Sequence, residues 1–186
     1  MAKPFDKLLL ATHNKGKLAE FQAMFGPYGV EIVSAADLNL PEPEETESTF
    51  IGNALIKARA AALASGLPVL ADDSGLCVNA LDGNPGVYTA DWAGPNRDYP
   101  AAMARVHQEL GAAVDRSAYF IAVLVLVLPS GEHHIFEGRC AGDIVWPPRG
   151  TGGHGYDPIF VPHPETLSFG EMAMGEKAKF SHRASA

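Results

Sequence analysis

The chain has 186 residues, 47% of them hydrophobic and 19% charged, with a formal net charge of -8. That length and apolar content suit one domain, residues 1–186, with a sizeable core, and exclude a disordered chain. The acidic balance excludes a broad nucleic-acid-binding face, which needs an extended cationic patch, but leaves room for a small basic pocket.

Residues 1–7 mix acidic and basic side chains ahead of a brief apolar run, unlike the uninterrupted apolar region of a secretory signal. Residues 7–11 read as a first strand. Residues 15–25, with Leu18, Phe21, Met24 and Phe25 at helical spacing, read as a helix. A second strand over 29–34 precedes a loop over 40–47 rich in Pro and Glu. Ser48 or Thr49 can cap a helix carrying Phe50, Ala54, Leu55, Ala58, Ala61 and Ala62, which ends near Gly66. The apolar run 67–71 then forms a buried strand that ends at Asp72 and Asp73, with Ser74 and Gly75 as a turn and extended structure resuming over 76–81.

Residues 82–97, rich in Gly, Pro and Asn, form a long functional loop before a helix over 100–110, stopped by Gly111. The apolar run from Ser117 to Leu128, the turn Pro-Ser-Gly-Glu and the segment His-His-Ile-Phe-Glu-Gly read as two long strands joined by a hairpin. Residues 139–146 can add another strand, and a short strand over 159–161 follows a Gly-rich loop. The tail 166–183 mixes a short helical pattern with a basic end. The expected fold is α/β, a mixed sheet flanked by helices, with the loops at Thr12, Asp73 and Tyr156 converging on one cleft. The strongest apolar run, 119–128, is too short to cross a bilayer as a helix. A soluble cytoplasmic protein, with neither a membrane nor a nucleic acid as partner, is expected. Cys77 and Cys140 form no CxxC pair and read as small buried residues, and the seven histidines show no zinc spacing.

The chemistry concentrates in a few segments. Adjacent carboxylates and a hydroxyl at a strand end suit a divalent cation held against phosphate oxygens, since hard cations prefer oxygen ligands. Asp, Ser and Gly are equally ordinary turn residues. Thr-His-Asn-Lys-Gly-Lys, residues 12–17, follows a strand and opens a helix, where backbone amides and the helix dipole receive phosphate and Lys15 and Lys17 add charge. It is not a GxxxxGK[ST] loop, and a solvated turn fits it as well. Glu45 lies just before the second helix, on which Asn53 and Lys57 share a face that reads as solvated. Gly-Gly-His-Gly-Tyr-Asp-Pro, residues 152–158, lets a flat ligand approach the main chain and stack on a ring, or is a plain Gly-rich loop. The cations of Glu-Lys-Ala-Lys-Phe-Ser-His-Arg, residues 176–183, either meet an anionic ligand or form an exposed tail.

Taken together and in order, these segments resemble one family, the inosine triphosphate pyrophosphatases, which act on non-canonical purine nucleoside triphosphates. The resemblance rests on residues 12–17, on Glu-Thr-Glu-Ser-Thr-Phe-Ile-Gly-Asn-Ala-Leu-Ile-Lys-Ala at 45–58, on Ala-Asp-Asp-Ser-Gly-Leu at 71–76, on Pro-Gly-Val at 85–87, on Gly-Tyr-Asp-Pro at 155–158, and on the terminal Glu-Lys and Ser-His-Arg. It implies an elongated α/β fold with two lobes around a central nucleotide-binding cleft, a homodimer, and Mg²⁺-dependent hydrolysis of ITP, dITP and XTP to the monophosphate and pyrophosphate. Carried over by motif, Glu45 and Asp73 are the Mg²⁺ ligands, with Asp73 also the base that activates water. Thr12, His13, Asn14, Lys15, Gly16, Lys17, Lys57, Ser74 and Lys177 become triphosphate contacts. His154, Gly155, Tyr156, Asp157, His182 and Arg183 fall at the base-recognition positions.

Three departures from the family pattern stand out. His154 replaces a Phe, which costs stacking area and adds a titratable neighbour. Asp91 in Thr-Ala-Asp-Trp-Ala-Gly stands where the family has Arg, which puts a local ion pair in doubt. Only three residues follow Ser-His-Arg, so the family's final helix is expected to be clipped or absent.

Overall fold

A computed structural model describes residues 5–186. The first strand, β1 (Lys7–Leu10), leads through a turn to helix α1 (Lys15–Phe25) and strand β2 (Glu31–Ser34). Helix α2 (Phe50–Ser65) starts at Thr49, whose Oγ accepts from the Gly52 amide at 3.1 Å, and stops at Gly66 in the left-handed conformation. An N-cap of this kind stabilises a helix by about 1 kcal/mol. Ala54, Ala58 and Ala61 line its buried face, as their spacing predicts.

Strand β3 (Val69–Val78) departs from expectation. Instead of ending at the Asp pair and turning at Ser74, it runs through Asp72, Asp73 and Ser74 without a break. Consecutive strand residues face opposite sides of a sheet, so adjacent carboxylates need not repel across one surface. Each finds a cation on a different helix: Asp72 receives Lys17 of α1, and Asp73 receives Lys57 of α2.

Short 3-10 turns fill much of the stretch before helix α3 (Tyr99–Leu110), which Asp98 caps through the Ala101 amide. Strands β4 (Ser117–Val127) and β5 (His133–Ile144) are the expected hairpin, closed by Leu128 and Gly131 main-chain bonds. The additional strand expected over 139–146 is the far half of β5. Ile159 closes a 3-10 turn, and strand β6 is Phe160–Pro162. Two four-residue helices, α4 (Met174–Lys177) and α5 (His182–Ser185), complete the chain.

The six strands form one mixed sheet in the order β2-β1-β3-β4-β5-β6. β1 is parallel to β2 and to β3, with Leu9 opposite Val33 and Val69, whereas β5 and β6 are antiparallel. The fold is α/β, as expected. The chain divides into two compact units, one running to Asp73 and including Val123–Phe136, the other comprising Ser74–Ala122 and Glu137–Ala186. β3, β4 and β5 each contribute residues to both. In the first unit β1 and α2 supply Leu8, Leu9, Leu10, Ala54 and Ala58 to the buried interior. The second is built on Leu76, Val78, Met103, Val106, Phe120, Phe160 and Phe169. Cys77 and Cys140 are both buried and free, and burial pushes the Cys140 thiol up to about 11. Among the described residues no helix is long and apolar enough to cross a membrane.

Candidate active site

In the first unit, Lys57 organises the carboxylates. Its ammonium lies 2.7 Å from Glu45 Oε1 and 3.4 Å from Asp73 Oδ1, on a side chain only 8% exposed. The face of α2 that bears it is therefore not solvated, contrary to the reading from sequence: Lys57 and Asn53 are both buried. They lie beside the alanine stripe of α2, and burial is tolerated because each polar head meets a partner. Burial alone would push the Lys57 ammonium down, but Asp73 and Glu45 together hold it above its ordinary value.

Asp73 carries the opposite balance. Burial raises its carboxyl above the ordinary range, outweighing the attraction of Lys57. Its Oδ2 is buried and has no hydrogen-bond partner among the described residues. Asp72 differs, since Lys17 makes a short ion pair with it from the first turn of α1. The adjacent acids are thus inequivalent, one matched by a close cation and one with an oxygen left over.

The segment 12–17 forms the predicted strand-to-helix turn. Asn14 Oδ1 accepts from the Gly16 and Lys17 amides at 2.8 and 3.1 Å, and Thr12 Oγ1 accepts from the Asn14 amide at 3.1 Å. Two of the amides expected to receive phosphate are therefore capped by Asn14. His13 Nε2 hydrogen-bonds to the Leu40 carbonyl at 2.8 Å, while Lys15 stays exposed.

In the second unit the Gly-rich loop folds around Asp157. This buried carboxylate accepts from the His154 amide and from Lys177 Nζ, both at 2.6 Å on Oδ2. Gly153 is in the left-handed region at φ +75°, and a Cβ there would collide with the Asp157 carboxylate. Lys177, assigned by motif to the triphosphate, is here the partner of the base-loop carboxylate. Tyr156 is 1% exposed and donates to the Thr89 carbonyl at 2.8 Å, so its ring belongs to the core and is not a free stacking surface. His154 is exposed, with its ring edge-on to Tyr99 at 5.0 Å. Desolvation lowers its pKa, against the opposing charge of Asp157.

The basic end is not a solvated tail. His182 is buried and stacks on Phe120 at 5.3 Å, and Arg183 donates to Ser74 Oγ at 2.8 Å. Gly155 turns at φ +66° beside Tyr99. Asp91 is exposed in the first turn of a 3-10 helix and makes no ion pair with the described residues. Sequence reading placed Asn53 on a solvated face, whereas its buried Oδ1 accepts from the Glu47 amide at 3.0 Å, and it missed Tyr99, against which both His154 and Tyr156 pack. The i,i+4 relation of Asn53 to Lys57 marks their shared face, but Tyr99 carries no local signal.

The oxygen donors fit a hard divalent cation. No three His, Cys, Asp or Glu side chains gather to hold an ion by themselves among the described residues. Glu45 and the unpaired Asp73 Oδ2 match the one or two carboxylates with which Mg²⁺ is held when water and substrate phosphates complete its shell. Residues 8–186 match a known family. This chain belongs to the Ham1 family.

The Ham1 assignment is supported across the full length. The chain is 57% identical to a dITP/XTP pyrophosphatase of Gluconobacter oxydans (strain 621H), covering 98% of this chain and 88% of that protein. It is 56% identical to one of Ruegeria pomeroyi, with 97% and 91% covered. Among solved structures it is similar to a HAM1 protein from Coxiella burnetii, at a TM-score of 0.90 and 39% identity over 97% of this chain and 94% of that one. The Staphylococcus aureus Ham1 protein gives a TM-score of 0.88 at 35% identity, with 97% and 93% covered.

Proposed function

We propose that this protein hydrolyses dITP, XTP and ITP between the α- and β-phosphates, releasing the nucleoside monophosphate and pyrophosphate, with Mg²⁺ as cofactor. The observation that carries the reading is the buried Asp73 carboxylate, raised in pKa, with one unpartnered oxygen beside the Lys57–Glu45 pair. The naming of the Gluconobacter and Ruegeria relatives as dITP/XTP pyrophosphatases supports the substrate class.

Asp73 accepts the proton as a water oxygen bonds to the α-phosphorus and the bridging P–O bond to pyrophosphate breaks. Its burial leaves the carboxylate poorly solvated, which makes it a readier proton acceptor than a carboxylate in water. Lys17, Lys57 and Lys15 offset charge on the phosphates, with Thr12, His13, Asn14, Gly16 and Ser74 as further contacts. Bound at Glu45 and Asp73, Mg²⁺ supplies Lewis-acid neutralisation of phosphate charge. On the base side, Asp157 accepts from N1–H and Arg183 donates to the 6-oxo group, with Lys177, His182 and the 154–156 main chain completing the contacts. Adenine reverses both hydrogen-bond roles, so it forms neither contact and sets its own 6-amino donor against Arg183.

Residues 1–186 act as one catalytic domain in a cytoplasmic homodimer under the same proposal, and light scattering tests the assembly. A panel of ITP, dITP, XTP, the four ordinary dNTPs and modified pyrimidine triphosphates, read as pyrophosphate release with Mg²⁺ or EDTA, tests the activity. Release from the oxo-purines in Mg²⁺ alone is expected. Preference for a pyrimidine would overturn the substrate class, and tight ITP binding without release would identify a sensor.

His154 sharpens the reading through pH. With its pKa lowered, the imidazole is neutral at pH 7 and becomes a cation only below the ordinary value near about 6.5. KM for ITP is therefore expected to rise as pH falls below that value, because a cation stacks less well on electron-poor hypoxanthine. His154→Phe should lower KM roughly two- to tenfold and lack this limb. Superimposable KM profiles for the two proteins would remove His154 from the base site.

A further inference from the structure

We propose that His13 and Asn53 are positioning residues that pin the acidic segment 40–47 at its two ends and thereby set Glu45 against Lys57. This inference rests on the pyrophosphatase reading for its consequence, though not for its geometry. Glu45 side-chain exposure is 37%, against 8% for Lys57 and 9% for Asp73, so the most exposed member of the cluster is the one on the loop. That loop has neither helix nor strand, and residues 41–46 make no backbone–backbone hydrogen bond with the described residues. Its shape is imposed from its ends.

At one end His13 Nε2 donates to the Leu40 carbonyl at 2.8 Å, a contact spanning 27 positions. At the other, the Asn53 amide, 3% exposed, accepts from the Glu47 N–H at 3.0 Å. The close approach there depends on Gly52, where a Cβ would stand 2.6 Å from the Glu47 Cβ. Between these pins lies Glu45, with Lys57 one helical turn beyond Asn53 on α2. Helix α2 thus holds the loop twice, by Asn53 at Glu47 and by Lys57 at Glu45. His13, within a segment assigned by motif to the triphosphate, ties that same segment to the loop.

Second-sphere contacts that orient a ligand typically change metal affinity by about 10- to 100-fold. Asn53→Leu, close in shape but without an acceptor, and His13→Ala are each expected to raise half-saturating Mg²⁺ at least tenfold, and for Asn53→Leu, which touches no part of the triphosphate segment, KM at saturating Mg²⁺ should change far less. Both should speed hydrogen exchange over 40–47 in metal-free protein, a readout independent of turnover. His13→Gln, which keeps a donor within reach of Leu40, should restore most of each effect. If the wild type fails to release pyrophosphate from the substrate panel, the functional reading falls while the exchange measurement still decides the pinning. Unchanged exchange over 40–47 in folded His13→Ala overturns the proposal, as does His13→Gln behaving like His13→Ala. If Asn53→Leu does not fold, the exposed His13 variants decide it alone.

Discussion

Asp73→Asn is expected to lose nearly all pyrophosphate release while keeping the fold. The general base alone contributes about 10²- to 10⁴-fold, and loss of a negative oxygen facing the cation adds to that. Stability should move the other way from activity. The folded-state pKa of Asp73 is raised, so the native protein holds this proton more tightly than the unfolded chain does. Such a group costs stability above the raised value, and the cost vanishes as pH falls through it towards the ordinary carboxylate value near about 4. An amide of the same size carries no such cost, so the melting temperature at pH 7 should not fall. Near wild-type turnover would show that Asp73 is not the base, with Asp72 next in line. A large drop in melting temperature would show that Lys57 relies on Asp73 more than its Glu45 contact allows.

Lys57→Met should damage both properties. It removes the cation shared by Glu45 and the buried Asp73, and stripping one partner from a buried pair costs roughly 3–5 kcal/mol. The loss should depend on pH. Without the lysine the Asp73 carboxyl rises further, so the penalty is greatest at pH 8, where the charge is uncompensated, and eases towards pH 5 as the proton returns. Adding Asp73→Asn to this variant should restore much of the stability and none of the activity. Chemical denaturation of the two single variants and the double variant measures the coupling. A Lys57→Met variant as stable as wild type at pH 8 would mean that Asp73 is far more solvated than its 7% exposure indicates.

Local patterning was a good guide to the regular elements. Period-3.6 spacing placed α1 and α2, the Thr49 and Gly66 punctuation set the ends of α2, and the run from Ser117 marked β4 with its hairpin partner β5. The ordered motifs sufficed to identify the family. Patterning failed where a polar residue lay inside an element. Asp72, Asp73 and Ser74 have the composition of a turn, yet they occupy the middle of β3 because Lys17, Lys57 and Arg183 supply their partners from elsewhere in the chain. Asn53 and Lys57 look like a solvated face for the same reason: periodicity reports that two residues share a face, not what that face meets.

By itself the sequence therefore determined the α/β class, the order of helices and strands, and the segments in which chemistry resides. Those properties depend on neighbours within a few positions, through helix caps, side-chain period and glycine turns. Only the tertiary structure decided which of two adjacent aspartates keeps an unpartnered oxygen, that Lys177 meets Asp157, and that the Tyr156 ring is core. Each of these turns on partners far apart in the chain: Lys17 and Asp72 are separated by 55 positions, Tyr156 and Thr89 by 67. A buried charge is tolerable only where such a partner arrives, and its arrival is a property of packing that no local pattern encodes.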